Sequence, residues 1–505
     1  MFWDQENLKK LIEERLGGYQ IILVSNREPY MHVYRAGEVE TIVPASGMAI
    51  ALDSLMQTCG GTWVAAGSGE ADREANIAGD TLMVPPQNPK YKLRRLWLTR
   101  EEERDYYYGF ANSALWPLCH LAYTRPRFDS RQWETYKLVN RRFAEMVLSE
   151  VNDPRRTIVF IQDYHFALLP RMLKEAEPGL LVSQFWHIPW PNFEIFRICP
   201  WGPEILDGLL GNDLLGFHLQ YHCNNFFDTV DRTLESRVDL EKFCIVRQAR
   251  ETRVLPFPIS IDFNRFEAWA RSAQTEARLQ ELRHSLNLGG LKVGLGVDRL
   301  DYTKGIPERL EAVDIFFQKY PQYQQQFTFI QLGPQSRLHI PSYKDLNTTV
   351  DYWEEKINSS HAKGRWKPVI VLKGHFSQEE VVAFYRLADV MVVSALHDGM
   401  NLVAKEYVAS RVDGNGALLL SPFIGAAREL SGAYIINPYN PEEIADAIFQ
   451  TLEDSNEEKG TRLAGMRSWV QEHNIFQWSA LLLQSLVHLP KIDQQANGIR
   501  HASYG

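Results

Sequence analysis

Short, wholly apolar runs bounded by Gly, Pro, Asn or Asp alternate along this chain with longer stretches in which apolar residues return at helical spacing. That alternation predicts an α/β protein, with parallel strands buried on both faces and joined by crossover helices. A first series of strands includes 19–27 (YQIILVSNR), 156–165 (RTIVFIQDYH), 180–189 (LLVSQFWHIP) and 213–219 (DLLGFHL). A second series follows 254–266 (VLPFPISIDFNRF): LKVGLGVDRL, FTFIQLGP, PVIVLKGHF, ADVMVVSAL, GALLLSPF and AYIINPY. Two series predict two Rossmann-like domains, one over 1–260 and one over 261–487. Pro256 and Pro258 restrain the backbone at the junction and predict a hinge. Near the N-terminus Leu8, Leu11, Ile12 and Leu16 recur at helical spacing with charges between them, which predicts an amphipathic helix rather than a signal peptide. From His488 the periodicity stops, and 488–505 is expected to be a mobile tail.

Composition adds limits to this picture. A chain of 505 residues exceeds the size at which one core keeps growing, and 45% hydrophobic with 23% charged residues is an ordinary globular balance. The net charge of −9, from 63 acids against 54 bases, argues against a nucleic-acid partner. It leaves room for a small anion, because a local group of cations binds phosphate inside an acidic protein. Five widely spaced cysteines, with no C-x-x-C pair, predict reduced thiols in a cytoplasmic protein. No window approaches the about 18 consecutive apolar residues of a membrane span. The sequence is compatible with a homo-oligomer and does not specify one.

Ligands of open parallel sheets bind beyond the carboxyl ends of the strands, so the residues that end strands carry the candidate chemistry, and a cleft between two such domains is the expected site. In VDRLDYTKGIPERL, Arg299 and Lys304 occupy a strand-to-helix loop, with Pro307 in the first helical turn. A helix N-terminus with adjacent cations suits a diphosphate. As surface residues they would instead pair with Asp298, Asp301 and Glu308. In SALHDGMNLVAKEYVAS, Asp398 suits sugar hydroxyls and Glu406 the paired hydroxyls of a ribose; structurally, Asp398 would be a helix cap and Glu406 a solvated residue. Asp163 and His165 follow one strand and His187 another, without metal-ligand spacing. Asp163 and His187 are readable as a base and its partner, or His187 as a hydrogen-bonded structural residue. Arg27, the small-residue loop PASGMAIAL and Arg337 would together grip a second phosphate; each alone would be an ordinary solvated loop residue.

The segments VSNR, DYH, HIPWP, DRLDYTKGIPERL, PQSR and LHDGMNLVAKEYVA, spread over about residues 20 to 480, resemble the trehalose-6-phosphate synthase family of retaining glycosyltransferases. The resemblance implies a GT-B fold, with the acceptor mainly on the first domain, the sugar nucleotide mainly on the second and a C-terminal helix returning to the first. By matching position it implies that Arg299 and Lys304 hold the donor diphosphate and Glu406 the ribose. Asp398, Gly399, Met400, Asn401 and His187 would meet the transferred glucose. Gly47, Phe376, Leu402 and Val403 complete the donor set, and Arg27, Tyr107, Trp116, Asp163 and Arg337 bind glucose 6-phosphate. Catalysis would rest on Arg299, Lys304, Asp398 and His187, with UDP-glucose as donor and no metal or cofactor.

Two features depart from the family's pattern. The usual glycine pair of the N-terminal loop reads Ser46-Gly47, and REPY resembles the glucosylglycerol-phosphate synthases, whose acceptor is glycerol 3-phosphate. PQSR and NSALWPLCH follow the trehalose pattern. An inactive nucleotide-sugar-binding regulator would carry substitutions at the donor cations or carboxylates, and Arg299, Lys304, Asp398 and Glu406 are all present. A nicotinamide oxidoreductase would need a G-x-G-x-x-G turn, whereas GLGVD has no third glycine.

Overall fold

The computed structural model describes residues 3–43, 47–75 and 80–489. Ser46 and residues 490–505 of the expected tail lie outside them; His488 is described and places its ring Nδ1 2.7 Å from the Gln484 carbonyl. The chain divides into two compact units, Met1–Ile259 with the segment from Ile475 onward, and Ser260–Asn474.

The first unit is built on a ten-stranded sheet. In chain order its strands and those of a small hairpin are β1 (Gln20–Arg27), β2 (Met31–Arg35), β3 (Glu38–Ile42), β4 (Thr62–Ala66), β5 (Thr81–Val84), β6 (Tyr91–Leu96), β7 (Thr157–Gln162), β8 (Leu181–Phe185), β9 (Leu214–Phe217), β10 (Arg237–Asp239), β11 (Cys244–Arg247) and β12 (Arg250–Pro256). The sheet runs β10-β11-β12-β9-β8-β7-β1-β4-β6-β5, and β2 pairs only with β3. It is parallel from β12 to β6 and antiparallel at both edges. The middle strands are buried along their whole length, which is why they read as unbroken apolar runs. Pro256 is the last residue of β12, beside Phe217, and the boundary between the units follows at Ile259 and Ser260. A strand end tolerates a residue with no N–H to give to the ladder.

Two helices from opposite ends of the chain complete this unit. Gln5–Leu16, capped by Asp4, buries Leu8 and Leu16, and it packs with Ile475–Val487. Trp478 in the latter donates its indole N–H to the Phe257 carbonyl at 3.1 Å and lies edge-on to Phe185. Between β6 and β7 the chain winds as a π-helix over Glu103–Leu115. Asn112 and Ser113 reach back five residues to the carbonyls of Tyr107 and Tyr108, at 2.7 Å each. π-Helical turns are rare and concentrate at functional sites.

The second unit has a six-stranded parallel sheet. Its strands are β13 (Lys292–Val297), β14 (Phe327–Leu332), β15 (Val369–Leu372), β16 (Val390–Val393), β17 (Ala417–Leu420) and β18 (Tyr434–Ile435), in the order β15-β14-β13-β16-β17-β18. Helix Ile306–Lys319 covers one face with Leu310, Val313, Phe316 and Phe317. Gly305 makes the turn into this helix at φ 61°, and a Cβ there would lie 2.2 Å from the Ser394 carbonyl oxygen. Glycine alone fits both the φ and the contact.

Candidate functional site

In both units the predicted residues stand at the carboxyl ends of parallel strands. In the first, Arg27 ends β1, Asp163 follows β7 and His187 follows β8. The Arg27 guanidinium donates to the Tyr107 hydroxyl at 3.1 Å, so the π-helix and β1 present their side chains together. The Tyr107 ring stacks on His165, with centroids 5.7 Å apart and planes 11° from parallel. Trp116, just beyond the π-helix, packs on Tyr164, whose hydroxyl donates to Asn112 at 2.8 Å.

Asp163 adopts φ 71°, uncommon outside glycine, and its carboxylate accepts the His187 backbone N–H at 3.1 Å. The two residues are thus neighbours, but not as base and partner: the His187 ring instead meets Gln162 Oε1 through Nε2 at 2.9 Å. Because that oxygen is an acceptor, Nε2 carries the hydrogen and Nδ1 is the open acceptor. Burial lowers the His187 pKa to about 3. At neutral pH the ring is uncharged and can accept a hydrogen bond from a sugar hydroxyl without donating a proton to it.

The second unit holds most of the donor candidates. Lys304 Nζ lies 2.5 Å from Asp398 Oδ2, and Asn401 donates to the same oxygen at 3.3 Å. Asn401, not Asp398, caps the helix Leu402–Ser410, accepting from the Ala404 N–H at 3.2 Å. Gly399 and Met400 are buried in the loop before it, while Leu402 and Val403 are half-buried in its first turn. Glu406 sits just over one turn into that helix and is buried, not the solvated residue of the structural alternative. Its Oε2 accepts the Tyr385 hydroxyl at 2.8 Å, and burial raises its pKa to about 7. Phe376 packs edge-on against Phe384 beyond β15.

Asp301, in the sequence a surface partner for the cations, is fully buried. It faces Arg299 at 3.9 Å and Arg337 at 3.5 Å, and it accepts the Tyr343 hydroxyl at 3.0 Å. These neighbours keep its carboxyl below the usual range despite burial. Arg337, expected beside Arg27, belongs to the second unit and donates to Tyr343 at 2.6 Å. Beneath the loop, Arg309 is buried, bonding Asp298 at 2.8 Å, Gln331 at 2.9 Å and Ser394 at 3.0 Å. Gly47, the remaining donor candidate, starts the helix Gly47–Cys59 of the first unit. Among the described residues no cluster of His, Cys, Asp and Glu suits a metal ion, and no helix is long and apolar enough to cross a membrane.

Two Rossmann-like units whose strand ends carry a cation-and-carboxylate site on one and an arginine-and-aromatic site on the other have the GT-B architecture of nucleotide-sugar-dependent glycosyltransferases. The chain belongs to glycosyltransferase family 20, which it matches over residues 19–488. It is 37% identical over 483 residues to the trehalose-6-phosphate synthase of Mycolicibacterium vanbaalenii, a match covering 94% of this chain and 97% of that one. Among solved structures it is similar to the E. coli enzyme bound with UDP-2-fluoro glucose, with a TM-score of 0.82, 29% identity and coverage of 93% and 99%. It is equally similar to the UDP-forming α,α-trehalose-phosphate synthase of Burkholderia xenovorans in complex with glucose-6-phosphate, with a TM-score of 0.83, 26% identity and coverage of 92% and 99%.

Proposed function

We infer that this protein is a retaining glucosyltransferase that moves glucose from UDP-glucose to glucose 6-phosphate, forming α,α-trehalose 6-phosphate and UDP. The observation that carries the reading is the Lys304–Asp398 pair at 2.5 Å beside Arg299, where a diphosphate and a sugar hydroxyl would take the two ends of one ion pair. Relatives that are trehalose-6-phosphate synthases along nearly their whole length support the same reaction.

Arg299 and Lys304 hold the diphosphate, and Glu406 accepts the ribose hydroxyls through its carboxylate. Asp398 and the backbone of Gly399, Met400 and Asn401 hold the glucose, with His187 accepting from one of its hydroxyls; Gly47, Phe376, Leu402 and Val403 complete the donor contacts. Arg27, Tyr107, Trp116, Asp163 and Arg337 hold glucose 6-phosphate, the two arginines at its phosphate. The acceptor hydroxyl oxygen attacks the anomeric carbon from the face the diphosphate leaves. The C–O bond to the diphosphate breaks with its electron pair, and the hydroxyl proton passes to a departing phosphate oxygen. Arg299 and Lys304 meet the charge that develops there, a stabilisation that grows toward the transition state. All five cysteines are free thiols, which supports a cytoplasmic location.

The test is nucleoside diphosphate release from UDP-, GDP- and ADP-glucose, each offered glucose 6-phosphate, glycerol 3-phosphate or no acceptor, with product mass read alongside. UDP release that depends on glucose 6-phosphate, with a disaccharide phosphate formed, is the expected result. Release that depends on glycerol 3-phosphate alone, or on no acceptor, overturns it.

A further inference from the structure

The first unit carries an open cavity of about 420 Å³ lined by Arg27 and Tyr107, and also by another arginine, the exposed Arg73, that the reaction above does not use. Its position follows from the absence of a side chain. Gly67 follows β4, and a Cβ there would lie 2.4 Å from Cζ3 of Trp97 and 2.8 Å from Cε3. Only glycine lets the indole lie against this backbone. Trp97 is fixed in turn: its N–H donates to Asp80 at 2.5 Å, and its carbonyl accepts from Arg142 at 2.9 Å. The Arg73 guanidinium carbon lies 4.5 Å from the centre of that ring, within the range of cation–π attraction.

The chain carrying Arg73 is equally fixed. Asp72 is fully buried and accepts the backbone N–H of Gly69 at 2.6 Å and of His32 at 2.8 Å. It shares the buried Arg95 with Glu28, the residue after Arg27, at 3.1 Å and 2.6 Å. One buried arginine thus ties down the residues next to both cavity arginines. Among the described residues no carboxylate pairs with Arg73. Glu70, which also lines the cavity, accepts the Tyr34 backbone N–H at 3.3 Å, and Glu103 is exposed at the start of the π-helix.

We propose that Arg73, seated on Trp97, is a further guanidinium for the acceptor's phosphate monoester, additional to those of Arg27 and Arg337, and shares that dianion with Arg27 across this cavity. The proposal rests on the reading that the first unit takes the acceptor through Arg27 and Tyr107. A monoester carries close to two charges at pH 7 and several acceptor oxygens, and a guanidinium held in one place gives up little freedom on binding it. Arg73 then helps to select phosphorylated over unphosphorylated acceptors. The shared chemistry is the monoester, so both glucose 6-phosphate and glycerol 3-phosphate enter the test.

Calorimetric titration of both esters and of inorganic phosphate into the wild type, R73A, R73K, G67A and R27A gives the answer, with a thermal melt of each as the folding control. R73A is expected to weaken monoester binding about tenfold, R73K to recover part of the loss, and G67A to follow R73A because it displaces Trp97. In turnover the acceptor KM rises while kcat and the UDP-glucose KM hold, a split that a merely structural role would not produce. Affinity within about twofold of wild type in folded R73A overturns the proposal, and if R27A weakens binding in the same series the acceptor reading survives it. Binding of glycerol 3-phosphate but not glucose 6-phosphate, weakened by R73A, keeps Arg73 and overturns the hexose phosphate reading. A wild type that binds neither ester overturns both.

Discussion

Glu406 is buried to 7% exposure with one hydrogen-bond donor, so its carboxylate pays for desolvation that the unfolded chain does not incur. Its pKa of about 7 in the folded state exceeds the 4.5 of an open glutamate. The folded chain therefore binds the proton more tightly, and its stability falls as pH rises from about 4.5 to about 7 and stays lower beyond. E406Q removes that penalty. Its melting temperature is expected to exceed wild type above pH 7, by the equivalent of about 3 kcal/mol, and to lose the advantage near pH 4.5. The same change should raise the UDP-glucose KM about tenfold, since an amide holds paired hydroxyls less well than a carboxylate. In the wild type that KM should fall as pH rises through about 7, when the carboxylate ionises. Arg299 makes the contrasting case, being one-third exposed and 3.9 Å from its nearest carboxylate. R299A is expected to leave the melting temperature nearly unchanged and to lower kcat by about 10²–10³ in single-turnover measurements.

The motif around Arg299 works because of the turn that begins the next helix. In G305A the new methyl meets the Ser394 carbonyl while the backbone holds φ 61°, so both the entry to helix Ile306–Lys319 and the loop carrying Lys304 must shift. A loss of roughly 1–3 kcal/mol in denaturant unfolding is expected, with a higher UDP-glucose KM. Elements of this kind are legible in the sequence: β7, β8 and β14 are apolar runs because they are buried on both faces, as is the interior of β13, and their carboxyl ends mark where the chemistry lies. The hairpin β2–β3 and the edge strand β10 are not, because exposed strands carry polar residues such as Glu38, Glu40 and Arg237 that look like loop. The π-helix escaped for another reason. Its five-residue reach leaves no 3.6-residue pattern in ERDYYYGFANSAL, and Tyr107 was found through resemblance alone. Nor does local sequence show that Asp301 serves both Arg299 and Arg337, or that Arg95 joins Glu28 to Asp72, because such partners meet only through the fold.

At the scale of the whole chain, the first unit is closed by its last helix. Trp478 is 2% exposed against Phe185 and the Phe257 carbonyl, with Leu482 and Leu486 buried behind it. W478A is expected to cost about 3–5 kcal/mol of unfolding free energy. A chain ending at Asn474 keeps every residue of the second unit and every strand of the first, yet should melt far lower, with near-ultraviolet circular dichroism reporting the loss. That division has a consequence for how the protein is made. A ribosome delivers the strands of the first unit, then all of the second, and only then the residues that cover Phe185. For the interval in which 260–474 emerge, the nascent first unit shows a greasy face to water, and protection from self-association in that interval is a demand that the order of synthesis itself imposes.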